Sequence, residues 1–163
     1  MLEYIKEELA AELISGRLSI VNDPDALFAR LGERFPIGLN RISWEKVAIR
    51  QRIEVVPVPR PIASDELRVM LSQHKADVQR WLDQAGVEPR TQVFWIGDST
   101  DAALAMSRQD LVEFFPVLFS FPQHSYALPD DGSWVLNYVM EGELFFAEAE
   151  EDTTISRSQG RKR

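Results

Sequence analysis

The chain contains no cysteine. Disulfides, thiolate metal sites and thiol nucleophiles are excluded, and the usual mark of an oxidising compartment is missing, so a cytoplasmic location is expected. Histidine is nearly as scarce: His74 and His124 stand 50 residues apart, neither in a His-x-His or His-Glu-x-x-His pattern. A histidine-based metal site is therefore not expected. No apolar run approaches the roughly 18 residues of a membrane span. The N-terminus, MLEYIKEELAAELISG, spreads acids through its apolar positions, unlike a signal peptide. Gly-x-Gly-x-x-Gly and phosphate-loop motifs are missing, so nucleotide chemistry has no support and no cofactor is expected. There is no internal repeat.

What is present is acid. The 163 residues carry a formal charge of -8, with all 26 acids before residue 153 and four of the 18 basic residues, Arg157, Arg161, Lys162 and Arg163, after it. Residues 1 to 152 therefore hold 14 basic against 26 acidic side chains, a net -12. Such a field repels phosphate backbones and attracts cationic surfaces, which disfavours nucleic acid and favours a basic protein partner. The length suits one domain able to bury its own core without staples.

Apolar spacing places an amphipathic helix over Leu2 to Ser15, stopped by Gly16. A second follows in NDPDALFARLGERFP, with Asn22 or Asp23 as cap, Pro24 at the first helical position, and Leu27 and Leu31 facing the core. Ser43 can cap a short helix, and Ile53 to Val56 is β-branched enough for a strand. Pro57 to Pro61 holds three prolines in five residues and reads as an extended connector. The clearest signal is one helix of about 22 residues with Ser64 as cap, Leu67, Leu71, His74, Val78, Trp81 and Leu82 on its stripe, and Gly86 closing it. TQVFWIGD reads as a buried strand, and SRQDLVEFF as a capped helix start that Pro116 limits or kinks.

The end is β-rich. HSYALPDDGSWVLNYVMEGELFF gives three runs separated by Pro-Asp-Asp-Gly and Glu-Gly, an antiparallel meander with glycine at each turn. A two-residue Glu141-Gly142 loop would put Trp134, Leu136, Tyr138, Met140, Phe145 and Ala147 on one face and Val135, Val139, Leu144 and Phe146 on the other. Both faces would be apolar, calling for helices on one and at least partial cover, or a partner, on the other. The expected architecture is a single α+β domain over residues 1 to 150, its helical N-terminal half packed on a C-terminal antiparallel sheet. Residues 151 to 163, almost without apolar side chains, are expected to form a disordered tail.

Catalytic patterns are thin. VFWIGDST is similar to the Gly-Asp-Ser block of SGNH (GDSL-type) hydrolases, which would make Ser99 a nucleophile and the chain a small hydrolase. The Asp-x-x-His that such a serine needs is missing: Phe121 precedes His124 by three residues, and Leu71 precedes His74 by three. Adjacent acids such as Asp130 and Asp131 sit in turns where they stay solvated, without the raised pKa that general-acid work requires. The chain is expected not to be an enzyme. Its surface chemistry instead combines aromatics and acids in one region. Trp134, Tyr138, Asp130, Asp131, Glu141 and Glu143, with Asp98 after the buried strand, form the expected partner-binding set.

An acidic cysteine-free α+β chain, a helical first half and the aromatic hairpin WVLNYVMEGELFF resemble the small immunity proteins of bacterial contact-dependent growth inhibition and related polymorphic toxin systems. That resemblance implies a cytoplasmic inhibitor that binds the C-terminal toxin domain of its cognate effector, often a nuclease, and blocks its active or substrate-binding site. The alternative from the residues alone is a non-catalytic adaptor or regulatory domain.

Overall fold

The computed structural model describes residues 2–58, 60–121 and 123–151. The expected tail from residue 152 onward lies outside them. The elements run α1 (Leu2–Glu8), α2 (Ala10–Ser15), β1 (Ser19–Val21), α3 (Asp25–Arg34), β2 (Ile37–Gly38), β3 (Arg41–Ile42), β4 (Gln51–Glu54), α4 (Ser64–Ser72), α5 (Lys75–Gln84), β5 (Gln92–Gly97), β6 (Ala103–Ser107), α6 (Arg108–Leu118), β7 (Ser125–Pro129), β8 (Trp134–Val139) and β9 (Glu143–Glu148). The chain is α+β, as its periodicities predict. Seven strands form one sheet in the order β1-β6-β5-β7-β8-β9-β4, every neighbouring pair antiparallel, and β2 pairs with β3 in a small hairpin.

The meander β7-β8-β9 is present, with both edge strands drawn from the N-terminal half. These edges are only three and four residues long, which limits the unpaired backbone they expose.

The register of the last hairpin differs from the expected one. Val139 pairs with Glu143, so Met140, Glu141 and Gly142 make a three-residue loop. Gly142 sits at φ 91°, a left-handed conformation that a three-residue hairpin places at its glycine. Moving the register by one residue exchanges the faces of β9. Leu144 and Phe146 join Trp134, Leu136 and Tyr138, whereas Phe145 and Ala147 join Val135 and Val139. Met140 lies in the loop and is exposed.

One face of the sheet packs against α1, α4, α5 and α6 through Ile5, Leu71, Trp81, Leu111 and Phe115, with Leu9 and the partly buried Leu13 of α2 beside them. The other is covered by the chain itself: Leu27 and Leu31 of α3, Ile42 of the hairpin, and Trp44. Trp44 stacks on Phe145 at 4.7 Å between centroids and donates its indole N–H to Asn137 Oδ1 at 2.8 Å. Asn137, buried within β8, passes its amide protons to the carbonyls of Ser125 and Tyr138. A buried amide so satisfied adds specificity to an otherwise apolar layer. No partner is needed to cover this face.

The long helix expected from residue 64 to the residue before Gly86 is two helices. Ala63, not Ser64, holds the cap position of α4. The Gln73 and His74 N–H groups tighten to Met70 and Leu71 carbonyls, and the Ser72 hydroxyl donates back to the Val69 carbonyl. His74 then restarts the chain, with its Nδ1 3.1 Å from Asp77 Oδ2 in the first turn of α5. Local side-chain bonds to the backbone and first turn outcompete a continuous ladder here, while the stripe Leu67, Leu71, Val78, Trp81 and Leu82 stays buried across the break. The Ser107 cap of α6 is present, its hydroxyl accepting from Asp110 N at 3.1 Å, and α6 runs two residues beyond Pro116.

The Gly142 loop gives a stability contrast. An added Cβ would lie 2.6 Å from Val56 Cβ at a backbone angle disfavoured for L-residues, whereas at Gly86 (φ 73°) it would meet no atom within 4 Å. Gly86→Ala is expected to cost about 1–2 kcal/mol in urea unfolding, the left-handed penalty alone, and Gly142→Ala clearly more.

Candidate partner-binding groove

The seven residues expected to meet a partner do not form one patch. The six residues of β8 separate the Asp130–Gly132 turn from the Met140–Gly142 loop, a span of roughly 20 Å. Asp98, Glu141 and Glu143 fall at one end of the sheet, and Asp130, Asp131 and Trp134 at the other.

At the first end the acids on the hairpin are matched internally. Arg41 Nη1 lies 3.0 Å from Glu141 Oε1 and 3.0 Å from His124 Nε2. Arg52 pairs with Glu143 and reaches Glu54 at 3.1 Å. Burial works against the charge of Glu141, yet its own backbone N–H, Arg41 and His124 together hold its carboxyl below the ordinary value. Tyr126, pushed up to about 12 chiefly by burial and then by Asp98, lies beneath this end. Tyr138 belongs to the core, only 2% exposed, its phenol also pushed up to about 12 by burial. It offers no contact surface, because even-numbered side chains of β8 point under the helices.

Ser99 lies in the loop at this end. Its hydroxyl donates to Asp98 Oδ1 at 3.3 Å, and its N–H to Gln123 Oε1 at 3.0 Å. The His124 carbonyl accepts from Asp98 N, but the imidazole nitrogens face Arg41 and the Met140 N–H instead of the serine. The geometry thus brings no imidazole to Ser99 Oγ, whose hydrogen-bond partner is the Asp98 carboxylate.

At the other end a groove opens between the C-terminus of α5 and the ends of β8 and β9. Its wider part, about 520 Å³, is lined by Ala85, Val87, Asp130, Asp131, Trp134 and Glu148. A narrower arm of about 290 Å³ continues past Val47, Ile49, Trp81, Phe146 and Glu150, sharing Ala85 and Glu148 with the first. The floor is aromatic: Phe146 lies 6.0 Å from Trp81 and 5.9 Å from Trp134 between centroids. Trp134, at 4% exposure, is floor and not a protruding anchor, which corrects its expected role. Ile49 at the mouth is 87% exposed.

Acids outnumber cations at this groove. Among the described residues, Asp130, Asp131, Glu148 and Glu150 form no ion pair within 4.0 Å, and Arg50 is the one cation lining either part. The C-terminal end of α5 adds the negative pole of its dipole. Hydrogen bonds from Ser133, hydroxyl first and then backbone N–H, hold the Asp131 carboxyl below its ordinary value, with Arg34 adding to them. The turn is anchored by the Ser133 N–H donating to Asp131 Oδ1 at 3.0 Å.

Glu148, Trp81, Phe146 and Ile49 were absent from the expected set. Glu148, the last residue of β9, pairs with Trp134 and shares its face. Reading Met140-Glu141-Gly142 as a three-residue loop would have found it. Trp81 carries no sequence signal beyond its place on the α5 stripe, since packing alone brings it to β9. Compared with protein-family models, curated proteins and solved structures, the chain matches none of them. No helix among the described residues is long and apolar enough to cross a membrane.

Asp131 yields a pH prediction. Its folded-state pKa lies below the unfolded value of about 3.9, so its contribution to stability is present above that value and disappears as pH falls through the lower folded one. Urea midpoints followed from about pH 5 to about pH 2 should fall less steeply for Asp131→Asn than for the unaltered chain.

Proposed function

We propose that this protein is a non-catalytic inhibitor, an immunity protein that binds a basic toxin domain and blocks its active or substrate-binding site. The observation that carries this reading is the groove of unpaired acids over an aromatic floor. A cationic surface gains Coulomb attraction from Asp130, Asp131, Glu148 and Glu150 without first breaking an ion pair among the described residues, and an apolar side chain can dock on Trp81, Phe146 and Ala85. The paired acids Glu141 and Glu143 would have to surrender Arg41 and Arg52 to do the same. The net -12 of residues 1 to 152 steers such a partner toward the protein at long range. A nuclease domain, which presents a cationic cleft to phosphate, is the partner whose charge fits best.

Co-expression with the toxin domain encoded beside it should rescue growth, and failure to rescue or to form a complex would remove the immunity reading. The triple variant Asp130→Lys, Asp131→Lys, Glu148→Lys is expected to slow association by about tenfold or more at low salt, with the difference shrinking as salt rises. The paired-end variant Glu141→Gln, Glu143→Gln should associate at close to the unaltered rate. Stopped-flow association kinetics measures both, and the opposite pattern would move the site to the other end of the sheet.

A further inference from the structure

The narrower arm of the groove exists because a strand ends early. The β4–β9 ladder stops at Gln51 opposite Phe146, and the pairs that would continue that register, Arg50 opposite Ala147 and Ile49 opposite Glu148, are not made, because the chain bends at Ala48 and Ile49. Within β9 the direction of the backbone groups alternates. The Ala149 N–H donates to the Ser133 carbonyl at 2.8 Å, toward the β8 side. The N–H and C=O of Glu148, the last residue of β9, therefore face the side that β4 has left, and Glu150 follows just beyond the strand end. Both residues line the arm, with Phe146 and Trp81 as its apolar wall. Main-chain donors and acceptors on an open edge, an apolar wall and acidic side chains on the same residues describe a site for one more strand.

We propose that this edge takes an extended segment of a partner, carrying alternating basic and apolar residues, as an added strand beside Glu148 and Glu150. Backbone groups of the segment pair with those of the two glutamates. Its Lys or Arg side chains meet Glu148 and Glu150 on the face shared with Phe146 and Trp81, and its alternate apolar side chains turn to the opposite face, toward Val47, Ala147 and Ala149. Charge selects the occupant: the arm offers two carboxylates that form no ion pair among the described residues, against Arg50, whose Nη1 is already turned to the Val47 carbonyl at 2.8 Å. The inference rests on the proposed function only for the identity of the partner, and the edge can be tested without it.

The probe is the capped peptide Lys-Val-Lys-Val-Lys, titrated into the whole chain with amide resonances as readout. Slowed hydrogen exchange concentrated at the Glu148 and Glu150 amides is expected. N-methylation of alternate peptide nitrogens should weaken binding by about tenfold, the equivalent of one net hydrogen bond. A Glu-Val-Glu-Val-Glu peptide should not bind. Glu148→Pro should bind the probe more weakly while keeping the thermal midpoint, since the N–H it removes points off the ladder; should that variant unfold, the N-methylated peptide still decides. Equal affinity for the N-methylated peptide, or shifts scattered over the acidic surface with no slowed exchange, would overturn the proposal. So would a concentration-dependent dimer abolished by Glu148→Pro, or edge amides altered by replacing Arg157, Arg161, Lys162 and Arg163 with no peptide present, because the occupant would then be a second copy or the chain itself. Slowed exchange at the edge without toxin rescue would fail the immunity reading alone, and rescue without slowed exchange would fail the edge proposal alone.

Discussion

The conformation of Gly142 is the constraint on which the sheet depends. Its positive φ closes a three-residue loop, and its carbonyl accepts the N–H groups of both Val55 and Val56 at 2.8 and 3.0 Å. One residue therefore sets the register of β8 against β9 and ties the exit of β4 to the same loop. The register decides which apolar side chains of β9 meet the helices and which meet Trp44. With Phe145 turned to Trp44 and Phe146 to Trp81, each aromatic finds a stacked partner on its own side of the sheet. A slip of one residue would reverse both and strand Glu148 on the opposite face.

Because β4 is anchored at the Gly142 end, it runs out before β9 does. The four residues from Gln51 to Glu54 cover β9 only as far as Phe146, and the incoming segment from Val47 to Arg50 bends away. The groove follows from that mismatch in strand length, together with the end of α5 at Gln84. Among the described residues no ion pair within 4.0 Å engages the acids at this end, whereas at the other end Arg41 and Arg52 are spent on Glu141 and Glu143. The acidic surplus of residues 1 to 152 is thus unevenly neutralised in space. That asymmetry separates a surface able to recruit cations from one that is electrostatically closed.

Much of the fold is legible in residue order. Leu27 and Leu31 at helical spacing after Pro24, the Ser107-x-x-Asp110 cap, the buried run from Gln92 to Gly97 and the meander from Ser125 to Glu148 all form where local signals place them. The misreadings share one physical cause, a choice between local arrangements of nearly equal free energy. His74 sits on an unbroken apolar stripe, so periodicity cannot reveal that its bond to Asp77 begins a new helix. Glu141-Gly142 and Met140-Glu141-Gly142 are both acceptable turns, and packing of Val56 against the glycine accompanies the longer one. An apolar second face signals a need for cover without naming what supplies it, which here is α3, the hairpin and Trp44.

The candidate site was legible in kind and not in place. Sequence alone determined that the chain is acidic and cysteine-free, that it builds an antiparallel sheet with helices, and that its turns carry carboxylates, because composition, period and turn chemistry act over a few residues. Tertiary structure decided that Trp134 is floor, that Tyr138 is core, and that Asp130 and Asp131 stand with Glu148 and Glu150 while Asp98, Glu141 and Glu143 stand apart. It also decided which carboxylates keep their charge unpaired. That depends on Arg41 and Arg52, 100 and 91 residues away from their partners in sequence. No local pattern encodes such a distance, and only the closing of the sheet brings those charges within reach of each other.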